Sequence, residues 1–230
     1  MKRKPTYTQF HDKHNGETGI IIANGPSLRD VPIEFLMSVP SFGCNFVHRR
    51  ADGFAPTYYA NTGMNHLDTL EKRQAIYPAM DSPHCEAAFI NRLVAHLFPF
   101  ENIYGILSGR AYGLHNSRKF SLDPLHIIGI GGSMLFGLFQ IAYYMGFDRL
   151  YVVGLDHDYS GDKHFYDESD VPYIEEVPGP HYQHDNKTWQ AACDGVFTQC
   201  RIAFEMDNRE IINMTPGSKC DVFKMEAPAW

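Results

Sequence analysis

The chain has 230 residues, of which 44% are apolar and 20% charged, and its formal net charge is −7. This length suits one large domain with a sizeable core, and the composition is that of an ordinary soluble globular protein. Because no basic surplus is present to neutralise a phosphate backbone, the sequence argues against a nucleic-acid polymer as partner. A small phosphorylated ligand needs only one local positive site and stays compatible with this charge.

The first 18 residues form a polar lead-in that is neither a signal peptide nor a membrane span. We expect a frayed segment or a surface strap there, followed by a single domain over residues 19–230. The five cysteines are odd in number and include no C-x-x-C pair, which predicts free thiols in a reducing cytoplasm. Self-association into a homo-oligomer stays open.

The first predicted element lies in GIIIANGPSLRD, residues 19–30. Residues 20–23 are too few and too β-branched for a helix, and they predict a buried parallel strand. The strand ends in a turn made of Asn24, Gly25, Pro26 and Ser27. Ser27 is expected to cap the helix that follows, with Asp30 completing a capping box.

This turn would place backbone N–H groups at the carboxyl edge of a parallel sheet, where anions and other ligands bind. It matches neither the G-x-G-x-x-G fingerprint nor the phosphate-binding P-loop. A strand-to-helix turn that uses Asn, Gly and Pro for geometry alone explains the pattern equally well.

The middle of the chain is less regular. Two further strands are predicted within residues 41–49 and 56–63, and a helix over 65–77. Residues 84–92 fit a helix or a strand, and residues 99–126 carry no clear period.

The clearest unit begins with a glycine loop at residues 129–132. Ser133 opens a long apolar helix that runs to about Met145 and stops at Gly146. A strand over 149–156 follows and ends in Asp156, giving the loop–helix–strand order of an α/β fold. The remaining segments are predicted as a lid at about 167–187, a helix over 188–208, and a last strand and turn over 209–218.

Polar side chains end four of the predicted strands: Asn24, Asn45, Asn61 and Asp156. Because the carboxyl ends of parallel strands lie at one edge of a sheet, these side chains should meet in one cleft. Asn both donates and accepts hydrogen bonds, which suits contacts with a base edge or with ribose hydroxyls.

The sequence resembles the bacterial sialyltransferases of glycosyltransferase family 42. The resemblance lies in IIIANGPSL, CN and YYAN, and it resumes in GSMLFGLFQIAYYMGFDRLYVVGLDHDYSGDKHFYD, HYQHDNKT and INMTPGSKCDVFKME. It covers roughly residues 19–63 and 128–228, while the middle does not match. The N-G-P-S-L and G-x-D framework is shared with a broader set of hydroxymethylpterin diphosphokinase-like proteins.

The resemblance implies a single Rossmann-like α/β domain, with a mostly parallel sheet flanked by helices. It implies an inverting, metal-independent transfer of a sugar acid from a CMP-activated donor to a glycan hydroxyl. No cofactor is expected, since the CMP-sugar is a substrate. The implied nucleotide and donor contacts are Asn24, Gly25, Pro26, Ser27, Asn45, Asn61, Ser133, Asp156 and Asp158.

The resemblance also implies catalytic residues. Two tyrosines of the family bind the leaving phosphate; here Tyr159 is one position from the first, and His164 stands in place of the second. His184 matches the family's catalytic base, and His181 matches the histidine before it. Gly131 stands where the family has an arginine.

Histidine chemistry gives a partly independent reason for a base. Four of the 12 histidines lie between residues 157 and 184, interleaved with aspartates. A neutral imidazole can take a proton from an acceptor hydroxyl near neutral pH. A metal site for Zn²⁺, Mn²⁺ or Mg²⁺ and a plain polar surface loop are the alternatives for this cluster.

Two other functions stay open. A Mg²⁺- and ATP-dependent phosphotransferase of the pterin diphosphokinase type could hold its metal through Asp156 and Asp158. The other is a nucleotide-binding module without catalysis.

Overall fold

The structure is a computed structural model of the whole chain. It describes residues 7–108, 119–129, 131–161, 163–167, 169, 171, 186–228 and 230. Within these residues, eight strands form a single sheet in the order β5-β4-β3-β2-β1-β6-β7-β8. The strands are β1 (Thr18–Ile22), β2 (Ser41–Cys44), β3 (Tyr58–Asn61), β4 (Ala87–Asn91), β5 (Ile103–Ile106), β6 (Arg149–Val153), β7 (Glu210–Asn213) and β8 (Lys224–Met225).

Every neighbouring pair of strands runs parallel. The central strands are buried on both faces, which explains their apolar runs without alternation. Successive residues point to opposite faces, so Ile21 joins one hydrophobic cluster while Ile20 and Ile22 join the other. The prediction of an α/β fold with a parallel sheet is confirmed.

The helices are α1 (Ile33–Leu36), α2 (Leu70–Gln74), α3 (Met134–Tyr144) and α4 (Asn186–Met206) in the described part of the chain. Helix α3 packs on β1, β2 and β3, and α4 packs on α3 and β7. Ser133 caps α3 as predicted, because its Oγ accepts a hydrogen bond from the Leu135 N–H at 3.3 Å. Gly146 follows the helix with φ +87°, a conformation that favours glycine.

Several predicted elements differ from the structure. The prediction of a helix over 65–77 is wrong for most of its length. Thr69 caps α2, which is short, and a 3-10 helix lies on either side of it. The undecided segment 84–92 contains the fully buried strand β4. The irregular segment predicted at 99–126 contains β5, an edge strand whose half-buried positions and central Gly105 hide its pattern.

The end of the lead-in packs on the domain as a strap. The backbone N–H groups of Asp12, His14 and Gly16 donate to carbonyls of Tyr144, Met145 and Gly146 at the end of α3. Phe10 is buried in the hydrophobic cluster on the α3 side of the sheet. Among the described residues, none of the helices combines the length and the apolar character that a membrane span needs.

Candidate functional site

A cleft of about 580 Å³ opens at the carboxyl ends of the central strands. The chain runs outward from β1 to β5 and then returns beside β1 as β6, so the strand order reverses between β1 and β6. Open α/β sheets bind ligands at such a point of reversal. Asn24, Asn45, Asn61 and Asp156 all line the cleft, so the predicted convergence of these strand ends is observed.

The turn after β1 is held from inside the protein. The Gly25 N–H donates to the Gly154 carbonyl at 2.9 Å. A Cβ on Gly25 would lie 2.1 Å from Asp156 Oδ2 and 2.6 Å from the Gly154 oxygen, so glycine is required for this close approach.

Ser27 does not cap the helix after the turn, which corrects the predicted capping box. Residues Pro26–Asp30 form a 3-10 helix whose N-cap position is Gly25, without a side-chain cap. The Ser27 hydroxyl donates instead to Asp156 Oδ2 at 2.8 Å, and the Ser27 N–H donates to Asp156 Oδ1 at 3.2 Å. The Asp156 carboxylate therefore occupies the position that the sequence analysis gave to a bound anion, because it accepts these donors itself.

Among the strand-end residues, Asn24 is unusual because only one end of its side-chain amide is hydrogen-bonded. Its Nδ2 donates across to the Cys44 carbonyl of β2 at 3.2 Å. Its Oδ1 is buried and has no hydrogen-bond partner among the described residues. A buried acceptor without a donor is costly, and a ligand N–H or O–H in the cleft would satisfy it.

Asn45 and Asn61 lie side by side at the next two strand ends. Asn61 Nδ2 lies 3.5 Å from Asn45 Oδ1, and the Asn61 Oδ1 accepts the Gly63 N–H at 3.1 Å. Asn45 has φ +51°, in the left-handed region that Asn tolerates better than most residues. Asn61 thus has a structural role in its turn in addition to its place on the cleft.

The segment after β6 forms another wall. Asp158 is half-buried, and hydrogen bonds from Ser160 hold its pKa below the usual value. The His164 and Tyr166 rings stack with centroids 4.9 Å apart and planes inclined by 10°. Lys163 also lines the cleft. Sequence reasoning missed Lys163 and Tyr166, although both fall inside the motif stretch that it quoted.

The same segment contributes a buried histidine to the cleft lining. His157 Nε2 is 3.0 Å from Asp194 Oδ1 on α4, and the Tyr159 hydroxyl is 3.4 Å from His157 Nδ1. Burial lowers the pKa of His157, while the charges of Asp194 and Asp221 oppose this shift. From the sequence, His157 belongs to the histidine cluster and is a ligand candidate if that cluster is a metal site, but Asp194 is not indicated as its partner because it lies 37 residues away.

The N-terminal end of α3 contributes another part of the cleft lining. Ser133 and Gly132 line the cleft. Gly132 has φ +88°, and a Cβ there would lie 2.8 Å from the Trp189 ring. The indole of α4 therefore packs directly against the glycine loop, which explains why glycine is needed at this point of the loop.

Pro26 and Ser27 belong to the turn but not to the cleft lining. His181, His184 and nearly all of the predicted lid lie outside the described residues. Within the described ranges, no group of three or more His, Cys, Asp or Glu side chains is arranged to hold a metal ion. None of the five cysteines forms a disulfide, and all five are buried.

No protein-family model matches the chain, and the search of curated proteins finds no match. Solved structures do match it. The sialyltransferase CstII from Campylobacter jejuni, in complex with CMP-3FNeuAc, has 15% identity and a TM-score of 0.57, over 92% of this chain and 86% of that chain. The α-2,3-sialyltransferase Cst-I from Campylobacter jejuni has 13% identity and a TM-score of 0.58, over 98% of this chain and 84% of that chain. The chain thus has a bacterial sialyltransferase-like fold, as the sequence resemblance implied.

Proposed function

We propose that the protein is a sialyltransferase-like glycosyltransferase that transfers a sugar acid from a CMP-activated donor to a glycan hydroxyl with inversion. The observation that carries the proposal is the cleft at the β1–β6 reversal, with the partnerless Asn24 Oδ1 in its wall. The fold supports the same conclusion, because structural neighbours were solved in complex with CMP.

The cleft has the properties that a nucleotide-sugar requires. Its volume of about 580 Å³ falls in the usual range for small-molecule sites. The Asn24 Oδ1 would accept a hydrogen bond from a ribose hydroxyl or from the amino group of a base. Asn45 and Asn61 would supply the further polar contacts that orient the donor.

The phosphate would lie near basic side chains of the segment after β6. Lys163 and His164 are the candidates among the described cleft residues. Ser133 stands at the N-terminus of α3, an apolar helix of 11 residues whose dipole favours an anion there. In this proposal His164 stabilises the phosphate as it leaves.

The proposed general base is His184, with His181 as the second candidate, and both assignments rest on the sequence resemblance. A neutral imidazole would take the proton of the acceptor hydroxyl as the new glycosidic bond forms. Loss of a base costs typically 10²–10⁴-fold in rate and leaves binding largely intact. We therefore expect His184→Ala to lose turnover and to keep nucleotide affinity.

Ligand binding tests the proposal most directly. We expect CMP to raise the melting temperature and to bind in calorimetry, and we expect turnover of a CMP-sugar to survive EDTA. Stabilisation by ATP with Mg²⁺ but not by CMP would favour a phosphotransferase instead. Stabilisation by CMP with no turnover of any CMP-sugar would favour a binding module.

A further inference from the structure

Three consecutive residues of the cleft wall after β6 divide their side chains between the cleft and the core. His164 and Tyr166 line the cleft. Phe165, between them, is only 7% exposed and belongs to a hydrophobic cluster that also contains Leu28. Phe165 therefore anchors this part of the wall in the core, while both of its neighbours stay accessible from the cleft.

The turn after β1 holds the backbone of this wall. The Phe165 N–H donates to the Asn24 carbonyl at 2.9 Å. Arg29, on the 3-10 helix that follows the turn, donates from Nε to the Phe165 carbonyl at 2.7 Å and from Nη2 to the His164 carbonyl at 3.3 Å. The planar fork of an arginine holds two acceptors in one fixed arrangement, which the single ammonium group of a lysine cannot do. Arg29 thus fixes the backbone of two consecutive wall residues.

The rings of the wall are stacked on a buried support. The imidazole of His164 lies parallel to the Tyr166 ring, with centroids 4.9 Å apart and planes inclined by 10°. The Tyr166 ring in turn meets the Phe46 and Phe165 rings edge to face, at 5.6 Å and 5.1 Å. The position of the imidazole therefore depends on the backbone that carries both stacked rings.

We propose that Arg29 is a positioning residue that acts through His164: its two hydrogen bonds hold the imidazole at the place where the phosphate of the donor leaves. An imidazole that is fixed before the reaction stabilises the developing charge better than one that must be ordered in the transition state. Arg29 is not part of the cleft lining among the described residues, so it makes no ligand contact itself. The phosphate rests on the proposed function, whereas the held position of the ring is a property of the protein alone.

The position of the ring can be tested by NMR without any ligand. The ring current of Tyr166 shifts the resonances of the stacked His164 ring protons, which His164→Gln assigns. In Arg29→Gln we expect these resonances to move towards the values of an unstacked histidine. The change should be smaller in Arg29→Lys, because lysine keeps one donor.

Arg50→Gln is the matched control for these spectra. It also removes an arginine that donates to a backbone carbonyl, that of Leu28 in the same 3-10 helix. It should therefore leave the His164 resonances where they are. Unchanged resonances in Arg29→Gln, or an equal change in Arg50→Gln, would overturn the proposal.

Turnover of a CMP-sugar then tests whether Arg29 acts through His164. Arg29→Gln should lower kcat about 3- to 10-fold and leave the KM for the donor nearly unchanged, and Arg29→Lys should recover part of the loss. In a His164→Gln background, Arg29→Gln should have no further effect, because the group that it holds is gone.

The other kinetic outcomes contradict the proposal. Equal losses from Arg29→Gln in both backgrounds would mean that Arg29 supports the fold and does not act through His164. An unchanged kcat, or a rise in KM alone, would equally overturn the positioning role. If the wild type turns over no CMP-sugar, the proposed function is wrong, and the spectra alone decide whether Arg29 positions the ring.

Discussion

Asparagines at the ends of the strands serve two different purposes. In Asn61, Asn91 and Asn213 the side-chain oxygen accepts the backbone N–H two residues further on, at 3.0–3.1 Å. This bond closes the turn after the strand and is a structural role. Asn24 differs, because its amide reaches the neighbouring strand and its oxygen has no donor within the described chain. The sequence predicted that polar strand ends converge, but it could not separate the two purposes, since both require the same residue.

Mutation of two of these asparagines should separate the purposes. Asn24→Ala is expected to weaken CMP binding by about 1–3 kcal/mol, because a buried contact with the ligand is lost. Asn213→Ala serves as the matched variant, since Asn213 is buried at a strand end and neither it nor its side-chain partners Thr215 and Ser218 line the cleft. It should lower the melting temperature and leave the CMP affinity unchanged in calorimetry. Equal affinities of Asn24→Ala and the wild type would remove Asn24 from the site.

A glycine in α4 and a glycine in α3 allow a test of how a single residue affects the stability of a helix. Gly195 lies on the exposed side of α4, and a Cβ there would meet nothing within 4 Å. Gly195→Ala should therefore raise the free energy of unfolding by about 0.5–1 kcal/mol, because alanine loses less backbone entropy in a helix. Urea unfolding measures this change.

Gly137 in α3 is the matched control. A Cβ there would lie 2.3 Å from Met134 Cε and 2.9 Å from Ile128 Cδ1. Gly137→Ala should lose most or all of the same helix-propensity gain to this crowding. If Gly195→Ala instead lowered the free energy of unfolding, the exposed face of α4 would have to make a contact in solution that is absent around Gly195 in this structure.

Elements with a strong local signal were predicted well, and those fixed by tertiary contacts were not. The Ser133 cap and the positive φ of Gly146 bound α3 where the sequence placed them. The edge strand β5 was missed because its positions are only half buried and its pairing with β4 lies outside any local pattern. Ser27 was predicted as a cap because Asp156, its actual partner, is distant in the chain and cannot be paired with it by spacing.

The molecule as a whole should lose stability as the pH falls below neutrality. Burial lowers the pKa of His48 from 6.5 to about 4, and burial also lowers the pKa values of His66 and His157. Between about pH 6.5 and pH 4 these histidines are therefore protonated in the unfolded chain but neutral in the folded chain. The free energy of unfolding decreases as the pH falls through this range. For His48 the full loss is about 2–3 kcal/mol, after allowance for its partial exposure.

Comparing variants isolates this contribution. The difference in unfolding free energy between pH 7 and pH 4.5 should be smaller in His48→Gln than in the wild type, whatever the stability of the variant at pH 7. His84→Gln, at an exposed position, should leave that difference unchanged. An identical pH dependence in all three proteins would show that His48 titrates normally in the folded state.

The strand order has a consequence for how the chain assembles during synthesis. Strands β1 to β4 each pair with the next strand along the chain, so this half can grow as it leaves the ribosome. The seam between β1 and β6 is different, because Thr18 pairs with Arg149 only after the long intervening chain has been made. Long-range parallel pairing of this kind is slow to form. A ligand in the cleft would touch both sides of this seam, so we expect it to slow the unfolding rate and to leave the folding rate nearly unchanged.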